Sequence, residues 1–143
     1  MLFEAFHWGS GSNRPSMQTF FENVEFQRLL ADWGKAGDVS VIAELNSEKI
    51  GAAWYRFWTD DDHSYGFVAP HIPELGIAVR SDFRSQGIGR LLLRRLKETG
   101  KAQGVKQLSL SVAPNNYALR FYESETFTKC GESGTSWTMI CTL

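Results

Sequence analysis

The stretch RSQGIGR, residues 84–90, joins an apolar run, ELGIAV, to an amphipathic one, LLLRRLKETGKAQG, and a second apolar run, VKQLSLSV, resumes after Gly104. A strand that breaks on glycines directly into a helix, and returns as another strand, constrains the fold to a layered α/β arrangement. Gly87 and Gly89 allow tight backbone paths and close approach, at an entropic cost on ordering. Two readings of the pair stay open on the motif alone. The glycines close a strand-to-helix turn, or they clear the way to the first N–H groups and the positive dipole end of a helix starting near Ile88, an anion site flanked by Arg84 and Arg90. Two nucleotide motifs are excluded. The dinucleotide fingerprint requires glycine at 92, where the chain has Leu92. A P-loop requires G-x-x-x-x-G-K-[ST], and neither Gly34-Lys35 (with Leu29 and Ala36) nor Gly100-Lys101 (with Arg95 and Ala102) fits it.

The remaining segments fit the same architecture. Met17 to Trp33 repeats apolar residues at three- and four-residue steps, which predicts an amphipathic helix stopped by Gly34 and Gly37, after a short first helix and a Gly/Ser-rich connector at 9–16. DVSVIAEL and KIGAAWYRFWT, separated by NSE, predict a hairpin. A polar loop follows to Pro73, then the glycine unit, a short helix in NNYALRFYESE and a last hairpin, FTKCG and TSWTMICTL, around ESG. In the helix after the glycines, Ile88, Leu92, Leu96 and Thr99 are expected to face inward, and Arg90, Arg94, Arg95, Lys97 and Lys101 to form the wet face.

At 143 residues one domain, 1–143, accounts for the chain. Fifteen basic and sixteen acidic residues leave no basic field for nucleic acid. No apolar stretch approaches the ~18 residues of a membrane span, and Glu4 without a basic, apolar leader argues against a signal peptide. Cys130 and Cys141 lack C-x-x-C spacing and read as reduced thiols of a cytoplasmic protein. The histidines have no ligand spacing with them, so no metal site is expected. Asp60, Asp61 and Asp62 read as a solvated loop, and the tryptophans at 33, 54, 58 and 137 as core.

ELGIAVRSDFRSQGIGRLLLRRL resembles motif A of the GCN5-related N-acetyltransferases, whose signature [RQ]-x-x-G-x-[GA] reads here Arg84-Ser85-Gln86-Gly87-Ile88-Gly89. NNYALRFYESETF is similar to the family's N-x-x-A-x-x-x-Y-x-x-x-G-F, matched by Asn115, Ala118, Tyr122 and Phe127, with Thr126 in place of the glycine. The resemblance covers about residues 38–143, most specifically 74–127. It implies a single-domain mixed sheet flanked by helices and an acetyl-CoA cosubstrate. The family usually begins with a strand, and none is evident before Met17. That missing strand would leave a sheet edge to be covered by a homodimer or by the N-terminal segment. By resemblance, Arg84, Ser85, Gln86, Gly87, Ile88, Gly89 and Arg90 form the pyrophosphate loop. Ile77, Ala78 and Val79 pair with the pantetheine arm as an added strand does. Asn115 and Tyr122 lie near the thioester.

Transfer of acetyl to an amine requires a neutral nucleophile, and an alkyl ammonium titrates near ~10.4, so a base must take its proton. Glu74 is the candidate: it begins the motif A strand on the face of Gly76 and Ala78, whose small side chains would leave room for substrate. The other reading of Glu74 is a solvated carboxylate at a strand end. Tyr122 is the family's candidate for protonating the leaving thiolate, or else a packed core tyrosine. Asn115 could also cap the short helix. The expected activity is N-acetylation of a primary amine, on a small molecule or peptide, by direct attack. A non-catalytic acyl-CoA-binding or partner-binding domain of the same fold is the alternative. The loop at 60–72 is expected to line the acceptor side, and no motif in it names a substrate.

Overall fold

In the computed structural model, residues 31–143 are described. The early helix, the 9–16 connector, most of the Met17–Trp33 helix and the question of a strand before Met17 lie outside the described residues. Gly34 and Gly37, each left-handed at φ +97°, lie in the turns before the sheet.

Six strands form one sheet: β1 (Val39–Leu45), β2 (Glu48–Arg56), β3 (Glu74–Val79), β4 (Gln107–Val112), β5 (Thr128–Ser133) and β6 (Ser136–Thr142), in the order β1-β2-β3-β4-β6-β5. The β1–β2 hairpin turns on Asn46 and Ser47, both at positive φ (49° and 65°), the two-residue geometry whose twist suits a hairpin. All strand pairs are antiparallel except β3 with β4. Between those two runs helix α1 (Ile88–Ala102), preceded by a 3-10 turn (Ser81–Phe83), and between β4 and β5 lies the short α2 (Ala118–Ser124). The sheet is therefore mixed and flanked by helices, as the resemblance implied.

The core sits between α1 and the sheet, where Leu93, Leu96, Leu108, Leu110, Tyr55, Phe127 and Met139 are almost wholly buried. Truncating a leucine there to alanine costs ~2–5 kcal/mol, because the cavity left behind does not fully collapse. The buried stripe of α1 is Leu92, Leu93, Leu96 and Gly100, wider than the one the period predicted. Ile88 only packs against its margin, and Thr99 turns its hydroxyl back to the Arg95 carbonyl at 2.9 Å. Leu93 is drawn in because a helix laid across a twisted sheet buries an apolar face broader than one row.

Candidate active site

β3 and β4 share one register pair, Glu74 with Ser109, reinforced by the Ser109 N–H donating to the Pro73 carbonyl at 3.0 Å. No further ladder partners follow, so from Leu75 onward the β4-side edge of β3 is open while its other edge stays paired to β2. An opening at the carboxyl ends of parallel strands is where open α/β sheets take ligands. A cleft of about 420 Å³ lies here. Its walls are Ile77, Ala78 and Val79 of β3, the turn residues Phe83, Arg84, Ser85, Gly87, Ile88, Gly89 and Arg90, and Asn116, Tyr117, Ala118, Phe121 and Tyr122 around α2. That volume suits a small organic ligand.

The glycine turn is built for its shape. Ser85 (φ 59°) and Gly87 (φ 83°) are both left-handed, and Gly87 caps α1 without a side-chain bond, leaving the first-turn N–H groups to face outward. Arg84 folds back, its Nε–H donating to the Val79 carbonyl at 3.0 Å and tying the turn to the end of β3. Gly89 differs from Gly87. It is the second residue of α1, in the first turn, and a Cβ there would meet only ordinary contacts, 3.9 Å from Val79 and 4.0 Å from Phe121. Nothing in the packing of the described residues requires glycine at 89.

Glu74, Gln86 and Asn115 fall outside the walls of the cleft. Gln86 instead directs its amide to the Asp82 carbonyl at 3.4 Å. The capping role foreseen for Asn115 belongs to its neighbour: Asn116 accepts the Ala118 N–H at 2.8 Å, while Asn115 is exposed. The doublet NNY offers either residue, and the chain places the first in the turn and the second against the helix.

The basic residues of α1 are a second departure. Arg90 and Arg94 both pair with the buried carboxylate of Glu125, Arg94 at 3.3 Å, and Lys97 donates to the Glu125 carbonyl at 2.6 Å. Arg90 and Lys97 also lie over the rings of Phe121 and Phe127 at 5.5 and 5.0 Å. Arg94, Arg95 and Lys101 keep the solvated face foreseen, Arg94 at 60% exposure even while paired, and Arg90 and Lys97 are half-buried. The cluster pins the end of α2 beside the cleft, and Arg90 reaches both. Sequence periodicity could not register it, because Glu125 lies 35 residues from Arg90.

Tyr122 lines the cleft with its ring packed against Phe127, edge to face at 5.8 Å, and Phe121 at 5.3 Å. Burial, with a smaller contribution from Tyr117, raises its pKa above the ordinary phenol value. The hydroxyl therefore stays protonated. After α2 the chain turns through Thr126 at φ 72°, with Phe127 N–H bonded to the Tyr122 carbonyl and Thr126 N–H to that of Glu123. These two bonds and the Tyr122–Phe127 contact are a Schellman closure, made by a β-branched residue at the place glycine prefers.

Glu74 stands at the root of the opening. Oε1 accepts the Gly66 N–H at 3.0 Å, and a Cβ on Gly66 would come within 2.7 Å of that oxygen, so only glycine lets the loop approach this closely. Oε2 is shielded from solvent and has no hydrogen-bond partner among the described residues; the same holds for the hydroxyl of Ser109. Burial raises the Glu74 pKa to about 7, against the opposing pull of the Gly66 N–H, the Ser64 and Trp58 side chains and the charge of His63. Glu74 is not a solvated strand end. The room expected above Gly76 is filled, since the Trp54 indole lies where a Gly76 Cβ would be, at 2.5 Å. His63, whose charge acts on Glu74, is stacked on Phe67 at 4.4 Å. Nor are all the tryptophans core: Trp33 is 43% exposed, and with Trp58 it faces the Arg56 guanidinium, each 5.2 Å away.

Among the described residues no group of acidic, histidine or cysteine side chains could hold a metal, and no helix is long and apolar enough to cross a membrane. Cys130 and Cys141 are unpaired thiols on β5 and β6, and neither lines the cleft.

The sequence profile of the acetyltransferase (GNAT) family matches residues 6–127. This chain belongs to that family. Its enzymes are acyltransferases. The fold is shared with the ribosomal-protein-alanine N-acetyltransferase of Brucella melitensis, at 24% identity over 82% of this chain and 76% of that one, TM-score 0.64. PaiA N-acetyltransferase of Thermoplasma acidophilum, solved with coenzyme A, aligns over 99% of this chain and 88% of its own at 16% identity, TM-score 0.72. YncA of Salmonella typhimurium, solved with acetyl-CoA, aligns over 99% and 83% at 18% identity, TM-score 0.65. At these identities the likeness is one of fold. No curated protein matches the sequence.

Proposed function

We propose that this GNAT domain transfers the acetyl group of acetyl-CoA to a primary amine of a small molecule or peptide by direct attack. Gly89 is the observation that carries the reading: a glycine in the first turn of α1, lining the cleft, which no contact among the described residues requires. A ligand close to the first turn of α1 supplies the missing reason. The outward N–H groups of Ile88, Gly89 and Arg90 suit the pyrophosphate, and the open edge of β3 at Ile77–Val79 suits the amides of the pantetheine arm. Arg84 and Ser85 shape the turn rather than project from it. Gln86 and Asn115 are placed for rim contacts at most.

Glu74 is the base in this reading. With its pKa at about 7, half its population is ionised near neutrality, and a proton relayed through water would reach a carboxylate whose Oε2 makes no hydrogen bond among the described residues. Tyr122 donates a hydrogen bond to the departing thiolate. Its raised pKa makes full transfer to a thiolate near ~8.5 uphill, so Tyr122 stabilises the charge and solvent completes the protonation. The thiols on β5 and β6 are remote from the cleft lining, which favours direct attack over an acyl-cysteine route.

A panel of amines incubated with acetyl-CoA, followed by thiol release, tests the proposal. Turnover on at least one amine is expected. Gly89→Glu, which places bulk and negative charge at the phosphate site, is expected to bind acetyl-CoA at least tenfold more weakly while remaining folded. Undiminished affinity in that variant would remove the cleft as the cosubstrate site. CoA binding without acetylation of any amine would leave a binding module.

A further inference from the structure

The loop between β2 and β3 is exposed or half-exposed along its length except at one point. Of the described residues 57–71 only Gly66 is buried. On either side of that point the loop is tied to itself. The Thr59 N–H donates to the Asp62 carbonyl and the Asp62 N–H to the Thr59 hydroxyl, each at 3.0 Å, the His63 ring stacks on Phe67, and the Ile72 N–H donates to the Ala69 carbonyl at 3.0 Å. Gly66 instead meets the sheet. A Cβ built on it would lie 2.7 Å from Glu74 Oε1 on β3, and 2.7 and 2.8 Å from the carbonyl carbon of Leu110 and the nitrogen of Ser111 on β4. Two of these three atoms are backbone, which cannot swing aside as a side-chain end can. The φ of Gly66 is not left-handed, so close approach alone demands glycine here. Leu110 and Ser111 directly follow Ser109, which forms with Glu74 the single register pair of β3 and β4. Gly66 therefore seats its backbone where the two parallel strands begin to part.

We propose that Gly66 is a positioning residue: the side chain it lacks lets the 57–71 loop seat on the β3–β4 junction, and that seat keeps water off the Glu74 carboxyl while fixing its Oε1. The inference rests on the base reading of Glu74 for its purpose and not for its geometry. Gly66 acts on Glu74 in two opposed ways. Its N–H, 3.0 Å from Oε1, favours the carboxylate, and the loop backbone that carries it takes solvent away, which favours the acid. Burial wins, since the carboxyl stands at about 7 against an ordinary 4.5. Unseating the loop removes both effects, and loss of the larger carries the titration down. The other groups acting on Glu74 are the Ser64 and Trp58 side chains and the charge of His63, of which His63 titrates, and each lowers its pKa. Loss of any of these contacts with the loop would push the titration up, so a fall reads the entry of water. The register partner on β2 is Arg56, whose guanidinium is 3.1 Å from Asp38 Oδ2, and that on β4 is the uncharged Ser109. Gly66 is not among the walls of the cleft, so acetyl-CoA affinity should not depend on it.

The test titrates the Glu74 carboxyl by NMR in the full chain labelled with ¹³C-glutamate, its resonance assigned by its loss in Glu74→Gln. In Gly66→Ala the titration is expected to fall by ~1–2 pH units, and the amide of residue 66 to exchange with solvent about tenfold faster or more. Acetyl-CoA affinity is expected to stay within about twofold of the wild type. A glycine needed for packing alone would lower the melting temperature of the variant and leave the titration in place. A folded Gly66→Ala with Glu74 unmoved or shifted upward overturns the proposal. If the variant does not fold, the wild type decides. Its Gly66 amide is expected to exchange about tenfold more slowly than those of exposed Tyr65 and Val68 once intrinsic rates are allowed for, and equal exchange overturns the seat. If Glu74 titrates lower in Gly66→Ala as expected while the acidic limb of kcat/KM stays at its wild-type pH, the positioning role stands and the assignment of Glu74 as base falls.

Discussion

Glu125 and Glu74 each bring a carboxylate out of solvent, and their surroundings differ in kind. Glu125 receives Arg90 and Arg94 on its oxygens and Lys97 on its carbonyl, all from one face of α1. Glu74 receives the Gly66 N–H on one oxygen and the weaker pull of Ser64, Trp58 and His63, with Oε2 making no hydrogen bond among the described residues. Burying a charge costs several kcal/mol unless pairing returns it. At Glu125 the pairing is made, and the carboxylate fastens α2 to α1. At Glu74 it is withheld, and the carboxyl answers by holding its proton to about pH 7. The contrast separates a residue that serves the fold from one the fold tolerates. Buried acids of the second kind are where proton-transfer chemistry is found.

Exchanging each acid for a neutral residue should break the contrast in opposite directions. The sign at Glu74 follows from linkage. Its folded pKa is raised from 4.5 to about 7, so the native state binds the proton more tightly. The stability this contributes is fully present below pH 4.5 and is lost as pH rises through 7. Glu74→Gln, which is never charged, should therefore be the more stable protein at pH 8, by up to ~3 kcal/mol, with the advantage shrinking toward pH 4.5. Urea unfolding at the two pH values measures it, and a variant no more stable at pH 8 than at pH 4.5, relative to wild type, would show that Glu74 is satisfied after all.

Glu125→Ala should lose ~1–3 kcal/mol in the same assay. This is less than for a fully buried pair, because Arg90 and Arg94 keep side chains 42% and 60% exposed and can rehydrate. The smallest effect sharpens the picture of the same junction without touching its charges. Thr126 holds a left-handed conformation that costs a residue with a Cβ ~1–2 kcal/mol, so Thr126→Gly should stabilise by ~1 kcal/mol, a melting shift of a few degrees. An unchanged or lowered melting temperature would mean that the Schellman turn is held by more than its backbone preference.

The donor side was legible in the sequence and the acceptor side was not, and the reason is the range of the interactions. Gly87, Gly89 and the strand and helix they join act through backbone geometry within a dozen residues, which a local pattern records. Tyr122 follows from the family resemblance of NNYALRFYESETF. Glu74 could be named from its strand position, but its environment depends on Gly66 and Trp58 arriving through the loop. Trp54 closing over Gly76, and Asp38 claiming Arg56, depend on cross-strand register. Asn115 and Asn116 could not be told apart because either fits the turn, and one residue of phase decides which side chain meets the cleft. The Arg90–Glu125 cluster went unseen because an amphipathic helix looks the same whether its basic face meets water or a buried carboxylate.

Glu74 is expected to take the amine proton from beside the acetyl-CoA cleft, and the pH dependence of kcat/KM reads this out. With an amine found by the panel, thiol release is followed from pH 5.5 to 9 for the wild type and for Glu74→Gln. The account predicts an acidic limb in the wild type with its midpoint near pH 7, and in Glu74→Gln a rate lower by ~10²–10⁴-fold with that limb gone. A Glu74→Gln enzyme that keeps both the limb and a near-wild-type rate would contradict it.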